Sequence, residues 1–456
     1  MSERRAGRGD VAAPGGQDVP GVAARMTAAR LLGAVVDAKT PLDGLTDNEH
    51  GHPNFRALDM RDRALVRAIL VTALRFRGTI GRLIAARLER PLPGNAHALL
   101  HILHVAAAQV LFLDVPDSAA VDLAVTHASS DPRTKRFAAL VNGVLRGLSR
   151  DKARTLPAEL AKGEEAPEWF RDRLVAAYGE QKAAAILAAH RVEAPVDFTV
   201  KAEPEKWTKA LGGIVLPTGS VRVERLAGPV TGLPGFAEGE WWVQDAAAAL
   251  PARMLGDIAG KSVADLCAAP GGKTAQLALA GARVTALDTS RNRLKRLGDN
   301  LARLGLQAET VEADALKWEP GRLFDAVLLD APCSSTGTVR RHPDVPWTKS
   351  PEDVAKLAHL QAKLLAAACR MVRPGGHVVF SNCSLDPAEG ELLLAEFLAE
   401  TPDMVSEPLR PGEIAGADSL ITARGTLRTT PADLDLGRPG ISGLDGFFAA
   451  RLSRLR

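Results

Sequence analysis

A chain of 456 residues with 57 Lys and Arg, 54 Asp and Glu, a net charge of +3 and 46% hydrophobic content has room for two to four domains with packed cores. Its longest apolar runs fall short of a bilayer span, and its first twenty residues are a Gly/Ala/Pro/Arg tail without a signal-peptide core, so a soluble cytoplasmic protein is expected. The four cysteines (Cys267, Cys333, Cys369, Cys383) are too sparse for a disulfide framework and form no Cys-x-x-Cys pair, so reduced thiols and no metal are expected.

Residues 1–22 read as a flexible tail. Over 23–150 the pattern is helical, with apolar residues three and four apart in 64–74, 98–113 and 137–148. Nine arginines stand between Arg56 and Arg90 against Asp59, Asp62 and Glu89, which suits a solvated face or a phosphate-binding surface. His97, His101 and His104 lie at helical spacing among apolar residues. No acid or thiol shares that spacing, so core or surface histidines are expected rather than metal ligands. Through Val115-Pro116, Ala120-Val121, Phe137 and Val141-Asn142-Gly143-Val144-Leu145-Arg146, this quarter of the chain resembles the NusB family of small helical RNA-binding domains. The resemblance implies RNA or ribosomal-factor binding rather than chemistry.

Residues 151–238 read as a charged, Pro-containing connector to about Glu168, then helices over 170–178 and 181–190, then a small α/β module. Its β-like pieces are 196–201, 213–216 and 220–225, with a helix over 204–211. A sheet of this kind could lie against single-stranded RNA, although Phe198 and Trp207 alone supply aromatics for stacking. Trp241-Trp242-Val243 followed by Gln244 to Leu250 reads as the strand-to-helix entry of a catalytic domain over 239–456.

That domain is organised around Val263-Ala264-Asp265-Leu266-Cys267-Ala268-Ala269-Pro270-Gly271-Gly272-Lys273-Thr274, which reads as strand, tight turn and helix start. Glycines let a backbone approach a ligand closely, and a helix N-terminus presents free N–H groups to its polar end. A phosphate-binding loop would need Gly where Cys267 stands, and Pro270 lacks an N–H to aim at phosphate. The next strand ends at Asp288, seventeen residues after Gly271, close to the spacing that sets an acid on ribose hydroxyls. Further strands finish at Asp314 and at Asp330. Each acid alone is more readily a cap or a turn residue, but in an open α/β sheet these strand ends share one crevice, which points to a nucleoside-like ligand.

Cys333 follows Asp330-Ala331-Pro332, and Cys383 ends the strand Val378-Val379-Phe380-Ser381-Asn382. Neighbouring parallel strands would hold both beside the crevice, whereas Cys369, at helical spacing, reads as an inert core thiol. Two thiols and a nucleoside site suggest methylation of carbon 5 of a pyrimidine. That carbon accepts a methyl group only after a thiolate adds at carbon 6.

Asp265 to Thr274, Asp330-Ala331-Pro332-Cys333-Ser334-Ser335-Thr336-Gly337 and Asn382-Cys383-Ser384 resemble motifs I, IV and VI of the RNA cytosine-5 methyltransferases of the NOL/NOP/Sun family. The resemblance is strong from Trp241 onward and includes the closing Asp445-Gly446-Phe447-Phe448-Ala449-Ala450-Arg451-Leu452. It implies a Rossmann-like domain that binds S-adenosylmethionine through Cys267, Ala268, Ala269, Pro270, Gly271, Gly272 and Lys273. It sets Asp288 on the ribose, Asp314 near the adenine amino group and Asp330 near the reacting centre. It makes Cys383 the attacking thiolate and Cys333 the residue that helps release product. With the NusB-like front domain, it implies small-subunit ribosomal RNA as substrate. Asn382 and Phe380 stand where the family commonly has Thr and Tyr, and Thr199-Val200-Lys201 where its small module has Arg-Val-Asn. A non-catalytic assembly factor, a P-loop NTPase and a DNA-type methyltransferase, whose Pro-Cys thiol is the nucleophile, are the alternatives.

Overall fold

The computed structural model describes residues 19–455. Residues 1–18 of the expected tail lie outside the described residues. The chain forms two compact units, divided between Ala166 and Pro167.

The first unit is all helical: α1 (Val22–Val36), α2 (Met60–Arg75), α3 (Arg77–Ala85), α4 (His97–Phe112), α5 (Asp117–Ser130) and α6 (Ala138–Leu160). Helix α4 is apolar on nearly every face and is therefore central, buried along most of its length. His101 and His104 are buried. An acid does accompany them, from a different helix end: Asp37, past α1, sets Oδ2 2.8 Å from His101 Nε2. Spacing along α4 could not show it.

Two readings of this unit are corrected. The connector expected from residue 151 is helix as far as Leu160, and beyond it Glu165 is buried and accepts from the Thr79 backbone N–H at 2.9 Å. Gly78 permits this approach, because a Cβ there would lie 2.0 Å from the Glu164 carbonyl oxygen. The arginine-rich run is only partly a surface. Arg56, Arg61 and Arg90 are exposed and the other six are half-buried, Arg82 paired with Glu159 and Arg87 with Asp151.

The second unit opens with α7 (Glu168–His190), which breaks at Gly179, where φ is 71°. A small antiparallel sheet follows in the order β2-β3-β1-β4, from β1 (Val196–Val200), β2 (Ile214–Val215), β3 (Val221–Val223) and β4 (Trp241–Val243), with α8 (Pro204–Leu211) against it. Strand β4 thus completes this module instead of starting the catalytic sheet, because Trp241 is needed in the core formed by Phe198, Trp207, Val221 and Val223. The same burial removes Phe198 and Trp207 as a stacking platform. Thr199 is also buried, with its hydroxyl on Gln244 Oε1 at 2.9 Å.

The large sheet runs β10-β12-β9-β8-β5-β6-β7, with β11 (Leu427–Thr429) on β12. Its strands are β5 (Ser262–Leu266), β6 (Arg283–Asp288), β7 (Glu309–Glu312), β8 (Phe324–Asp330), β9 (Val372–Asn382), β10 (Met404–Ser406) and β12 (Phe447–Arg454). Strands β5 to β9 are parallel and β12 returns antiparallel on β9. The centres of β8 and β9 are continuously apolar, as strands covered on both faces must be, and β5 is apolar but for the buried Asp265. From β5 the chain steps outward through β6 to β7, then returns to β8 on the other side. That reversal leaves a crevice at the carboxyl ends of β5 and β8, where α/β sheets bind ligands.

Candidate active site

At the end of β5 the chain turns through Cys267 (φ 60°) and Gly271 (φ 101°) before α9 (Gly272–Leu279) begins. Gly271 is required twice over: its backbone is left-handed, and a Cβ there would lie 2.8 Å from Leu297 Cγ. The turn borders a cavity of ≈ 380 Å³ lined by Ala268, Ala269, Pro270, Gly271, Gly272, Lys273 and Asp330, together with Trp242, Gln244 and Asn300. That size is within the usual range for small-molecule sites. Trp242, Gln244 and Asn300 were not singled out from sequence, since each reaches the loop from an element distant in the chain.

The acids divide. Asp330 lines the cavity, accepting from Lys273 Nζ at 2.7 Å and from Ser381 Oγ at 2.9 Å. Lys273 is therefore committed to a carboxylate, unlike the free lysine of a phosphate loop. Asp265, also on the cavity, is fully buried; Thr274 Oγ1 donates to its Oδ2 at 2.6 Å, and its Oδ1 has no hydrogen-bond partner among the described residues. Burial pushes its pKa up to about 7, with the nearby Asp330 and Asp288 adding to the rise and the Thr274 bond opposing it.

Cys267, Asp288 and Asp314 are not part of the cavity lining. Asp288 instead accepts from the backbone N–H groups of Ala269 (3.3 Å) and Ser290 (3.0 Å) and pairs with Arg293, so it ties the β6 end to the β5 turn. Asp314 lies two residues past β7 and accepts from the Leu316 N–H at 3.0 Å. Burial raises the Cys267 and Cys369 thiols to about 12, which makes both inert at neutral pH.

The other two thiols meet. Asp330 and Ser381 are register partners on adjacent parallel strands, and just beyond them Cys333 Sγ and Cys383 Sγ are 3.3 Å apart, both half-buried. Ser335 Oγ lies 3.6 Å from Cys383 Sγ. The sulfur–sulfur hydrogen bond lowers the pKa of Cys383 and raises that of Cys333, which favours Cys383 as the more acidic of the two. The residues that depart from the resemblance serve internal packing. Asn382 is buried and accepts from the Ser384 N–H at 3.0 Å, and Phe380 packs edge-on to Phe448 with ring centres 6.1 Å apart.

Residues 22–150 match the NusB family and residues 252–453 the family described as 16S rRNA methyltransferase RsmB/F. The chain is 36% identical over 414 residues to the ribosomal RNA small subunit methyltransferase B of Klebsiella pneumoniae, covering 87% of this chain and 91% of the relative. It is 38% identical over 450 residues to the protein of the same name from Xylella fastidiosa, covering 95% and 98%. The crystal structure of PH0851 shares the fold, with a TM-score of 0.72 at 24% identity over 96% of this chain and 99% of that one. No helix among the described residues is long and apolar enough to cross a membrane. With a NusB-type helical unit ahead of an α/β domain and this likeness over nearly its whole length, the chain belongs to the ribosomal RNA small subunit methyltransferase B family of RNA methyltransferases.

Proposed function

We propose that this protein methylates carbon 5 of a cytosine in small-subunit ribosomal RNA, in the cytoplasm, with S-adenosylmethionine as methyl donor and a covalent adduct to Cys383. The observation that carries the reading is the meeting of Cys333 and Cys383 at 3.3 Å, with the acidity of the pair concentrated on Cys383.

The cavity fits the donor. Its backbone turn is open to close approach, and Asp265 Oδ1 is a buried acceptor without a donor, suited to an ammonium group. Ala268 to Lys273 would hold the donor, Asp330 would stand near the reacting centre, and Asp288 and Asp314 would take the ribose and adenine roles that the family resemblance gives them. S-adenosylmethionine, when bound, supplies an electrophilic methyl group. The chain's part is to make carbon 5 nucleophilic. The Cys383 thiolate adds to carbon 6, and the electron pair displaced from the 5,6 double bond becomes available at carbon 5. After methylation, a base takes the carbon 5 proton, the electrons of that C–H bond re-form the 5,6 double bond, and the sulfur–carbon bond breaks with its electron pair leaving as the thiolate. Cys333 Sγ, 3.3 Å from Cys383 Sγ, is placed to assist that release.

Bisulfite sequencing of small-subunit ribosomal RNA from cells with and without the gene tests the reading. One cytosine should change from protected to convertible when the gene is absent. An unchanged protection pattern overturns the proposal.

A further inference from the structure

Beneath the two thiols lies a carboxylate that the reaction above does not use. Glu389 is fully buried, and each of its side-chain partners donates to it. Its Oε1 accepts from the backbone N–H of Ser334 at 2.9 Å and from Gln361 Nε2 at 2.9 Å. Its Oε2 accepts from Ser384 Oγ at 2.6 Å and from Ser334 Oγ. Ser334 directly follows Cys333, and Ser384 directly follows Cys383. One carboxylate therefore joins the two loops that carry the sulfurs, although those loops leave different strands. Asn382, just before Cys383, reinforces the arrangement. Its amide donates to Gln361 Oε1 at 3.1 Å and to the Glu389 carbonyl at 2.6 Å.

We infer that Glu389 is a positioning residue that sets the separation of the Cys333 and Cys383 sulfurs. Burial disfavours a carboxylate, and it raises the pKa of this one, so a glutamate serving only to fill space would be better replaced by an apolar residue. What the site needs is two oxygens, far enough from the main chain to reach both loops and able to accept from four donors. Glutamine keeps the reach and one strong acceptor, and the two serine hydroxyls can reorient to receive its NH2. Aspartate keeps the charge but is one methylene short. Bracing therefore ranks the variants Glu, then Gln, then Asp, whereas a role for charge alone ranks Asp above Gln.

The inference depends on the covalent reading only for its activity measurement, so the full-length protein is assayed in two ways. Diamide, an azo oxidant, measures thiol proximity directly: the two thiols give up two protons and two electrons to its N=N bond and join as a disulfide, which mass spectrometry detects. Wild type should form the Cys333–Cys383 bridge readily. Glu389→Asp should form it at least about tenfold more slowly and lose about 10²-fold in kcat, since misplacement of about 1 Å can cost that much, while KM for S-adenosylmethionine stays within about twofold. Glu389→Gln should lose far less in both. Wild-type bridging and turnover in Glu389→Asp overturn the inference, as does an Asp variant that outperforms Gln. Should Glu389→Asp not fold, Ser384→Ala removes one donor and keeps the carboxylate, and unchanged bridging in that variant also overturns it. A wild-type protein that bridges but never methylates RNA defeats the covalent reading and leaves the bridging comparison to decide this one.

Discussion

Lys273 Nζ donates to Asp330 Oδ2 at 2.7 Å, joining the start of α9 to the end of β8 across the crevice, with the lysine almost wholly buried. The lysine of the glycine-rich turn thus neutralises an acid at the reacting edge and is not itself a free cation for a triphosphate. Isothermal calorimetry should show binding of S-adenosylmethionine and none of ATP. Lys273→Met leaves Asp330 without its cation, so the fold should lose up to about 3 kcal/mol of stability, and methylation should fall by about 10² or more because Asp330 is no longer held at the crevice. ATP binding in place of S-adenosylmethionine would refute the assignment of the cavity.

Asp288 is joined to the turn by the N–H groups of Ala269 and Ser290. Asp288→Ala removes the ribose acceptor proposed for it and loosens the turn as well. Charge-assisted bonds contribute about 1.5 to 3 kcal/mol, so the Kd for S-adenosylmethionine should rise about tenfold to a hundredfold. Affinity unchanged by the substitution would show that Asp288 braces the loop without touching the ligand.

Asp265 gives a pH signature. Its folded pKa, about 7, lies above the unfolded value, so its contribution to stability is fully present below about pH 4 and is lost as the pH rises through about 7. A ligand ammonium paired with the carboxylate would reverse the preference and release a proton below pH 7. Calorimetry at pH 6 in buffers of differing ionisation enthalpy should show that release, and Asp265→Asn should abolish it. The same proton count in both proteins would remove Asp265 from the site.

The exposed arginines of the first unit set a limit on what the basic run contributes to RNA binding. Within the run from Arg56 to Arg90 only Arg56, Arg61 and Arg90 are exposed, so replacing these three by Ala should flatten the slope of log K against log salt by about 2, at about 0.7 per phosphate contact on single strands. Arg82→Ala should lower the melting temperature instead, because it removes the pair with Glu159. A slope unchanged in the triple variant would move the RNA-binding surface elsewhere.

The sequence showed those parts of the molecule that are written locally. Strands β5, β6, β8 and β9 are apolar runs ending in polar residues, and the turn from Cys267 to Gly272 declares itself by small residues and glycine. What it concealed depends on partners far away in the chain. Nothing near the arginine run says that Arg82 will meet Glu159, nothing near His101 points to Asp37, and the apolar pocket that draws Trp241 into the small sheet is assembled from Phe198 and Trp207. Glu389 was hidden for the same reason, since a glutamate in a Pro-Ala-Glu-Gly turn looks like a surface residue until Ser334 and Gln361 are brought to it.

The two sulfurs provide the sharpest test of chemistry, because their roles differ while their positions nearly coincide. If the thiolate of Cys383 adds to carbon 6, Cys383→Ala forms no adduct, and methylation falls to background while S-adenosylmethionine still binds. Cys333→Ala leaves addition and methyl transfer possible but impairs release, so a covalent protein–RNA complex should accumulate and survive denaturing electrophoresis. Loss of Cys333 also removes the hydrogen bond that lowers the pKa of Cys383, so adduct formation in Cys333→Ala should need a higher pH than in wild type. The opposite assignment, with the Pro-Cys thiol as nucleophile, predicts the trapped complex with Cys383→Ala and none with Cys333→Ala. Two alanine variants that merely melt a little earlier and methylate normally would return both cysteines to the core. Incubating each variant with RNA and S-adenosylmethionine over a range of pH, and reading the shifted band, separates the three cases.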